Sequence, residues 1–506
     1  MTGSDPRQIV IVGGGSAGWM TAAALSRFLE RGWRVTLVES DEIGTVGVGE
    51  ATIPQMRLFL KGLGLDEDDF LRQTQGTFKL GIQFRDWLRP GHSYFHSFWA
   101  SGPSLGLLPF HQYWLRARAE GWAAPIERYS VMAAAAAADR FTRGAPDARL
   151  LTPALAYAYH IDASLLARSL RGYAEARGVV RVEGRVARAA LRGGDGFVSH
   201  LEMQDGRRVE GEFFVDCSGF RALVIGEALG VGFEDWSRWL PCDRALAAPT
   251  ARAPGPLTPY TRATASSAGW RWRIPLQHRT GNGYVYCSDH LGDDDARAEL
   301  LAGLEGPPLA EPRLLRFRTG KRHRFWEKNC VALGLASGFM EPLESTSIHL
   351  VQSAVARLLQ FLPGERPEAA DVETYNRRTH FEYDRIRDFL ILHYKATERG
   401  ETPFWRRCRD MQVPDMLADR MRLFQSAGRV DRDNDELFTE ASWQQVLLGQ
   451  GCEPRSRHPL SDQLSDAEIR DFLDAVQLNV RRTVAAMPSH ADYVARIAEA
   501  RARAPG

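Results

Sequence analysis

The chain has 506 residues, 44% of them hydrophobic, which is enough for a large buried core and two or more subdomains. Its 64 basic and 63 acidic residues nearly cancel, so we expect neither nucleic acid nor a membrane surface as a partner. The six cysteines are far apart and form no C-x-x-C pair, which is typical of a reduced cytoplasmic protein without a disulfide framework or a metal site.

The first predicted element is a buried strand over residues 9–12, four β-branched residues in a row. The strand leads into Gly13-x-Gly15-x-x-Gly18 and then into a helical segment, 21–29. In this pattern the glycines permit a tight turn, close approach of the backbone to a pyrophosphate, and close contact between helix and strand. The N-terminus of the helix would offer N–H groups to the phosphates.

A second predicted strand, 34–38, ends at Glu39, which lies 39 − 18 = 21 residues beyond the last glycine. A carboxylate that binds a ribose is expected at that distance. The uncharged stretch 9–26 behind Arg7 also resembles a secretory signal. The order strand, turn, helix, strand, acid favours dinucleotide binding instead.

Two later stretches, and the lack of a second fingerprint in the sequence, also concern the bound dinucleotide. The loop 47–52 contains Gly-Val-Gly, which is either an ordinary flexible loop or a crossing over the flavin end of the dinucleotide. The apolar strand 213–217 and the turn at Gly219 resemble a second strand-to-loop contact with FAD. The sequence carries one G-x-G-x-x-G fingerprint, which suggests that electrons arrive as reduced flavin.

Residues 78–99 form an aromatic cluster around a single lysine, Lys79, which stands between Phe78 and Leu80. A lysine in apolar company usually packs its stem on the surface and keeps its ammonium in water. The residue pattern alone favours that interpretation. If Lys79 is buried, its amine becomes a tunable donor or nucleophile.

The stretch 266–286 predicts a hairpin, because Trp270 and Trp272 alternate with arginines before Pro275. A further apolar strand, 329–340, runs through small residues into a helix over 349–362. That helix N-terminus is a second place favourable to an anion.

Two ordinary roles compete with anion binding before this helix. Ser345, Thr346 and Ser347 are good helix caps, and Glu344 is favoured there by the helix dipole alone. From about residue 371 the pattern becomes helical, and Ser465-x-x-Glu468 is a capping box.

Taken in order, these motifs resemble the tryptophan halogenase family of flavin-dependent halogenases. The matching stretches are Gly-Gly-Gly-Ser-Ala-Gly-Trp-Met at 13–20, Gly-Val-Gly-Glu-Ala-Thr at 47–52, Phe-Lys at 78–79, Trp-Arg-Trp-Arg-Ile-Pro at 270–275 and Glu-Pro-Leu-Glu-Ser-Thr at 341–346.

The resemblance implies an α/β fold, a Rossmann-like, monooxygenase-type FAD-binding body with mixed sheets and a helical C-terminal cap. The implied division is a FAD-binding body with an inserted substrate-side sheet over 1–365 and a helical substrate-side subdomain over 366–506. The implied enzyme takes FADH2 from a separate flavin reductase and uses O2 and bromide or chloride to make hypohalous acid. That acid would halogenate a small, electron-rich aromatic of the indole type through Lys79. We expect a monomer or a homodimer.

The resemblance also assigns roles to residues. Lys79 and Glu344 match the catalytic pair, and Glu344 is expected close to Lys79. Thr346 and Ser347 match the halide-binding pair. The cofactor-binding positions are Gly13, Gly15, Ser16, Ala17, Gly18, Glu39, Gly49, Glu50, Ala51, Leu335 and Ser337. The positions that face the substrate or the tunnel are His96, Phe98, Trp99, Trp270, Trp272, Pro275, Ser345 and Trp443.

Two departures from the family pattern affect the expected chemistry. Ser347 stands where a glycine is usual, which alters the halide site. The stretch 442–449 holds no clamp for the amino and carboxylate groups of free tryptophan, so indoles are expected to be better substrates. The alternatives are a flavin-dependent aromatic monooxygenase and a non-catalytic flavin-binding protein.

Overall fold

The computed structural model describes residues 7–29, 32–42, 49–144 and 155–500, and the predicted loop segment 47–48 lies outside them. The strands are β1 (Arg7–Val12), β2 (Trp33–Glu39), β3 (Gly49–Ala51), β4 (Thr77–Lys79), β5 (Gly81–Arg85), β6 (Ser93–Ser97), β7 (Ala158–Asp162), β8 (Val180–Glu183), β9 (Val186–Leu191), β10 (Val198–Met203), β11 (Arg208–Glu210), β12 (Phe213–Asp216), β13 (Phe233–Asp235), β14 (Arg244–Thr250), β15 (Thr261–Ala265), β16 (Gly269–Pro275), β17 (Thr280–Tyr286), β18 (Arg313–Arg316), β19 (Gly320–Arg322), β20 (Trp326–Glu327), β21 (Cys330–Ala332) and β22 (Gly338–Phe339).

The α-helices are α1 (Ser16–Phe28), α2 (Gln55–Leu63), α3 (Glu67–Gln73), α4 (Phe110–Ala119), α5 (Val131–Ala137), α6 (Ala163–Glu175), α7 (Asp293–Ala302), α8 (Ser347–Gln360), α9 (Ala369–Lys395), α10 (Pro403–Asp410), α11 (Asp415–Ala427), α12 (Glu440–Gly449), α13 (Asp466–Ala485) and α14 (His490–Ala500). Within the described residues, no helix is both long and apolar enough to span a bilayer.

The chain folds as two compact units, each built from three segments. The first unit comprises 1–75, 161–243 and 316–384, and the second comprises 76–160, 244–315 and 385–506. The boundary predicted at residue 365 lies inside the first unit, between α8 and α9. The division of function between a body over 1–365 and a cap over 366–506 stays a prediction.

The first unit is organised around a six-stranded sheet in the order β20-β21-β12-β1-β2-β8. All neighbours are parallel except β20, which pairs antiparallel at the edge. The β-branched run of β1 is buried because a central strand of a parallel sheet is covered on both faces. Val12 lies opposite both Asp216 and Val38, so the carboxyl ends of β1, β12 and β2 lie side by side at one end of the strands. Ligands of open parallel sheets bind at the carboxyl ends of the strands.

The second unit contains a seven-stranded sheet in the order β18-β14-β17-β16-β15-β5-β6. The predicted hairpin is confirmed as β16 and β17, which pair antiparallel along their whole length. Trp270, Trp272 and Ile274 are buried and the two intervening arginines are partly exposed, which confirms the predicted alternation. In a separate three-residue pairing, β4 runs antiparallel to β7 and places Thr77 opposite His160.

The predicted elements differ from the structure mainly at their ends. Helix α1 begins at Ser16, five residues before the predicted start, because the glycine turn itself provides the N-cap at Gly15. The predicted strand 329–340 divides into β21 and β22 around a 3-10 helix, since Gly334 takes a left-handed φ of 62°. The capping box of Ser465 and Glu468 at the start of α13 is confirmed.

Candidate active site

At three of the four glycines in the turn after β1, neighbouring protein atoms leave no room for a side chain. A Cβ atom on Gly13 would lie 2.3 Å from the Cys217 carbonyl oxygen, and one on Gly18 would lie 1.9 Å from the Gly13 carbonyl oxygen. A Cβ on Gly14 would lie 1.5 Å from the Glu39 carboxylate. A Cβ on Gly15, in contrast, would meet no protein atom within 4 Å. The space in front of Gly15 is therefore open to a ligand, as a pyrophosphate at the N-terminus of α1 requires.

A cavity of about 390 Å³ opens at the carboxyl ends of β1, β2 and β12 within the first unit. Seven of the predicted cofactor-binding residues line it, namely Gly13, Gly15, Ser16, Ala17, Glu39, Glu50 and Leu335. Its polar end near Glu39 and its apolar lining along α8 suit a ligand that carries both a nucleotide and a flat ring system. The residues present thus fit FAD.

Glu39 is held at the cavity by basic and aromatic side chains. Arg181 Nε donates to Glu39 Oε1 at 2.6 Å, and Arg171 Nη1 lies 3.6 Å from the same oxygen. The indole N–H of Trp19 donates to the other carboxylate oxygen at 3.4 Å. These contacts fix the carboxylate at the end of β2, where a ribose hydroxyl can reach it. On the same cavity wall, burial raises the pKa of the Glu50 carboxyl to about 7.

Four predicted cofactor-binding residues do not line the cavity: Gly18, Gly49, Ala51 and Ser337. Gly18 instead allows α1 to approach the turn closely. The Ser337 hydroxyl donates to the Gly334 carbonyl at 2.6 Å and lies 2.8 Å from the Tyr383 hydroxyl, and Tyr383 itself is on the cavity wall. Ser337 therefore supports the wall from behind.

The cavity also has lining residues that the fingerprint does not include. Among them are Gly14, Arg185, Cys217, Ser218, Arg221 and Tyr383. The strand-to-loop contact proposed for 213–219 locates Cys217 and Ser218. Tyr383 lies within the long helix α9, where no local sequence pattern marks it as a cavity residue.

Asp216, at the end of β12, anchors the wall formed by Cys217 and Ser218. Its fully buried carboxylate accepts hydrogen bonds from the Ser218 N–H and hydroxyl, at 3.0 and 2.6 Å, and from the N–H groups of Val224 and Ile225, both at 2.8 Å. A buried carboxylate with four donors is well compensated for its loss of water. It fixes both the loop and the start of the π-helix Leu223–Ala228.

The loop before α8 brings the predicted halide residues to this unit. Thr346 is the N-cap of α8, but its side chain makes no capping hydrogen bond, so the simple capping role is wrong for it. Ser347 is the first helical residue and lines the cavity, whereas Thr346 is buried beside it. Ser345 has a left-handed φ of 61°, a strained conformation for a residue with a side chain. Glu344 is only 2% exposed and ends a 3-10 helix three residues before α8 begins.

Lys79 lies in the second unit and is fully buried, so the surface interpretation favoured by its neighbours is wrong. It ends β4, and the alternation of a strand places it on the same face as Thr77 and the facing His160. Its ammonium nitrogen lies 5.4 Å from the centre of the Phe98 ring, within the range of a cation–π contact. The closeness of Glu344 to Lys79 stays a prediction.

A chain of hydrogen bonds joins β4 to the end of β16. The Thr77 hydroxyl donates to the Pro275 carbonyl at 2.7 Å and lies 3.0 Å from His160 Nδ1. Because the only hydroxyl proton of Thr77 goes to Pro275, Nδ1 carries the proton of the imidazole. His160 Nε2 then accepts from the Thr261 hydroxyl at 3.0 Å. Burial, followed by the charge of Lys79, lowers the pKa of His160 well below its ordinary value.

The predicted substrate-facing residues of this unit differ in exposure. His96 is buried, Phe98 is half-buried and Trp99 is 56% exposed. The ring centres of Trp270 and Trp87 are 6.4 Å apart, and those of Trp272 and Trp270 are 6.2 Å apart. Trp443 is fully buried, with its ring edge-on to Phe389 and the Arg420 guanidinium 4.2 Å above it. In the described residues, no cluster of three or more His, Cys, Asp or Glu side chains could hold a metal ion.

Comparison with known proteins places this geometry in a family. The family model for tryptophan halogenase matches residues 8–466. The tryptophan 6-halogenase SttH of Streptomyces toxytricini is 36% identical over 527 aligned positions, which cover 98% of this chain and 99% of SttH. Xcc4156, a flavin-dependent halogenase from Xanthomonas campestris, has a structure that superposes with a TM-score of 0.94 at 49% identity, covering 98% of this chain and 99% of its own.

A second solved structure agrees with the first. BrvH, a flavin-dependent halogenase from Brevundimonas sp. BAL3, superposes with a TM-score of 0.92 at 48% identity and covers 97% of this chain and 99% of its own. The predicted mixed α/β, FAD-binding fold is thereby confirmed. The chain belongs to the tryptophan halogenase family and is an enzyme, a flavin-dependent halogenase that uses FADH2 and a halide.

Proposed function

We propose that this halogenase uses Lys79 to deliver hypohalous acid to an electron-rich aromatic of the indole type. The observation that carries the proposal is the complete burial of Lys79 beside Phe98. A lysine loses its hydration when it is buried, and an aromatic hydroxylase has no step that requires an ammonium there.

The reaction balances without any further reagent. When bound, FADH2 would supply two electrons and two protons, which with one further proton convert O2 and halide into hypohalous acid and water and leave FAD. The aromatic ring then exchanges a proton for the halogen, and a second water leaves. The FADH2 is proposed to come from a separate flavin reductase.

The residues of the chain divide this work. Gly13, Gly15, Ser16, Ala17 and Glu39 would hold the pyrophosphate and the ribose of FAD, at the cavity edge that they line. Ser347 and Thr346 would hold the halide, with backbone N–H groups at the start of α8 as donors. Because Ser347 also lines the cavity, the halide would be close to the flavin.

In the second unit, Lys79 would hold the hypohalous acid as a hydrogen-bond donor, or its neutral amine would form a haloamine, in which the N–halogen bond forms as the O–halogen bond breaks and water leaves. Phe98, His96 and Trp99 would flank the ring of the substrate. The buried pair Trp270 and Trp272 would keep the substrate away from the flavin. Glu344, which belongs to the first unit, is proposed to accept or direct the proton that leaves the ring, as a general base.

The test is product analysis by mass spectrometry with indole, FAD, a flavin reductase and either bromide or chloride. With a large excess of a freely diffusing diketone trap that captures released hypobromous acid before indole does, the wild-type enzyme should still give haloindole, and Lys79→Ala should consume O2 and brominate the trap without giving haloindole. Lys61→Ala, which changes an exposed lysine, is the control and should behave as wild type. Wild-type haloindole yield from Lys79→Ala would refute the role of Lys79, and hydroxyindole without halide would indicate a monooxygenase.

Two further properties are proposed on less specific grounds. All six cysteines are free thiols, which supports a reducing, cytoplasmic location. A monomer or a homodimer is expected, and light scattering of the purified protein would distinguish the two.

A further inference from the structure

The short loop after β6 carries Phe98 and Trp99. The side chain of Gln445, in α12, hydrogen-bonds to this loop on both sides of Phe98. Gln445 Oε1 accepts from the backbone N–H of Ser97 at 2.9 Å, and Gln445 Nε2 donates to the Trp99 carbonyl at 3.1 Å. The Ser97 hydroxyl lies 2.9 Å from both Gln445 Oε1 and the Trp99 carbonyl. One amide thus ties the residue before Phe98 to the residue after it.

The amide of Gln445 is fully occupied within the protein. Besides the Trp99 carbonyl, its Nε2 donates to the Ala441 carbonyl of its own helix at 3.1 Å. An amide offers two protons and two lone pairs; both protons and one lone pair have partners here, and the Ser97 hydroxyl lies against the second lone pair. Gln445 is only 7% exposed, so breaking these bonds would leave buried polar groups without partners.

Phe98 has a clear relation to the proposed reaction centre, because its ring faces the Lys79 ammonium at 5.4 Å. We propose that Gln445 is a positioning residue that holds Phe98 at Lys79 and so sets how the aromatic substrate meets the electrophile. This proposal rests on the proposed function of Lys79. Gln445 itself has no hydrogen-bonding capacity left for a substrate, so its effect passes through Phe98.

A loosened Phe98 would misplace the substrate without affecting the formation of hypohalous acid. Misplacement of reacting groups by about 1 Å costs roughly 10- to 100-fold in rate. With the diketone trap in large excess to capture released acid, we therefore expect Gln445→Met to lower haloindole formed per O2 consumed about 10- to 100-fold. Bromination of a diffusible diketone trap, measured without indole, should stay at the wild-type level, because the acid is formed and released as before.

Gln450→Met is the matched control. Gln450 is also a buried glutamine, just after α12, but its Nε2 donates to the His393 carbonyl at 2.6 Å instead of to the Phe98 loop. Both substitutions remove a buried amide, so a purely structural effect would lower product and trap bromination together in both variants. The proposal requires that only Gln445→Met separates the two readouts.

A double-mutant cycle tests the route through Phe98. If Gln445 acts by holding Phe98, then Gln445→Met should add little to the loss already caused by Phe98→Leu. Should Gln445→Met not fold, Gln445→Glu keeps the acceptor for Ser97 and loses the donors to Trp99 and Ala441, and it should show the same separation to a smaller degree.

The outcomes distinguish this proposal from the proposed function. If Lys79→Ala loses haloindole but Gln445→Met keeps wild-type product per O2, the positioning role is refuted and the function of Lys79 stands. If the losses from Gln445→Met and Phe98→Leu simply add, Gln445 does not act through Phe98. If Lys79→Ala keeps full product, the proposed function fails and the positioning proposal fails with it.

Discussion

His490 Nε2 accepts a hydrogen bond from the backbone N–H of Phe78, the residue before Lys79, at 3.1 Å. On the other side of its ring, Nδ1 lies 2.8 Å from the Leu257 carbonyl and must donate to it. His490 is therefore neutral with a fixed tautomer, and it ties the first residue of α14 to the strand of Lys79. Phe141 stacks on Phe78 at 4.0 Å, which further fixes that strand.

This arrangement predicts a loss of stability in acid. Burial lowers the pKa of His490 to about 4, and the nearby Arg252 adds to the effect. A histidine in the unfolded chain titrates near pH ~6.5, so the stabilisation by neutral His490 is complete above that pH and is lost as the pH falls towards 4. His490→Gln removes this titration, so the urea midpoint of the variant should fall less between pH 7 and 4.5 than that of the wild type. His323→Gln, at an exposed histidine, should leave the wild-type slope; an unchanged slope in His490→Gln would contradict the prediction.

Gly15→Val is expected to abolish FAD retention while the protein stays folded. A Cβ at Gly15 meets no protein atom within 4 Å, so we expect the fold to tolerate valine there, but the side chain occupies the path of the pyrophosphate. Flavin absorbance after gel filtration measures retention, and circular dichroism checks the fold. Gly364→Val, at another glycine with open space around it, is the control and should retain FAD. A folded Gly15→Val protein with unchanged FAD affinity would refute the binding site.

Glu344→Gln is expected to slow halogenation mainly in kcat. General-base assistance is worth about 10²- to 10⁴-fold, and the amide cannot accept the proton that leaves the ring. Steady-state kinetics with indole separates kcat from KM, and O2 consumption should stay near the wild-type rate. Glu344→Asp keeps the carboxylate and should recover part of the rate. A rise in KM with unchanged kcat would show that Glu344 only binds substrate.

Indole is expected to outcompete free tryptophan under identical flavin recycling. A zwitterion in a closing pocket loses water from two charged groups, and Gln445 of α12 has no hydrogen-bonding capacity to offer them. Bromide should serve at least as well as chloride, because it is more easily oxidised. Competition assays with both substrates in one tube give the ratio of kcat/KM directly. A tenfold preference for tryptophan would mean that another part of the pocket binds the amino acid groups.

The elements that were predictable from sequence are those whose signal is local. The β-branched run of β1, the glycine turn, the alternation along β16 and the capping box of α13 each depend on residues close in sequence. Helix α8 begins two residues before the predicted start, at Ser347, because the loop before it is folded tightly through Ser345.

Burial of Lys79 was not predictable from its neighbours. It depends on a strand pairing with β7, about 80 residues away, and on Phe98, which arrives through a third segment. Tyr383 and Gln445 escaped prediction for the same reason: each is an ordinary helical residue whose partners are set by tertiary packing alone.

We expect Gly14 and Gly15, the two central glycines of the turn, to be required for different reasons: Gly14 for folding and Gly15 for ligand binding. In a library that varies residue 14, a screen for folded protein should recover mainly glycine, because a Cβ there would lie 2.6 Å from the Glu39 Cβ, which cannot swing away as the carboxylate can. A library at residue 15 should pass that screen with many side chains and then fail a screen for bound flavin. The motif as usually written leaves residue 14 free and specifies residue 15, so of these two positions in this chain it is the unspecified one that the ligand-free fold constrains.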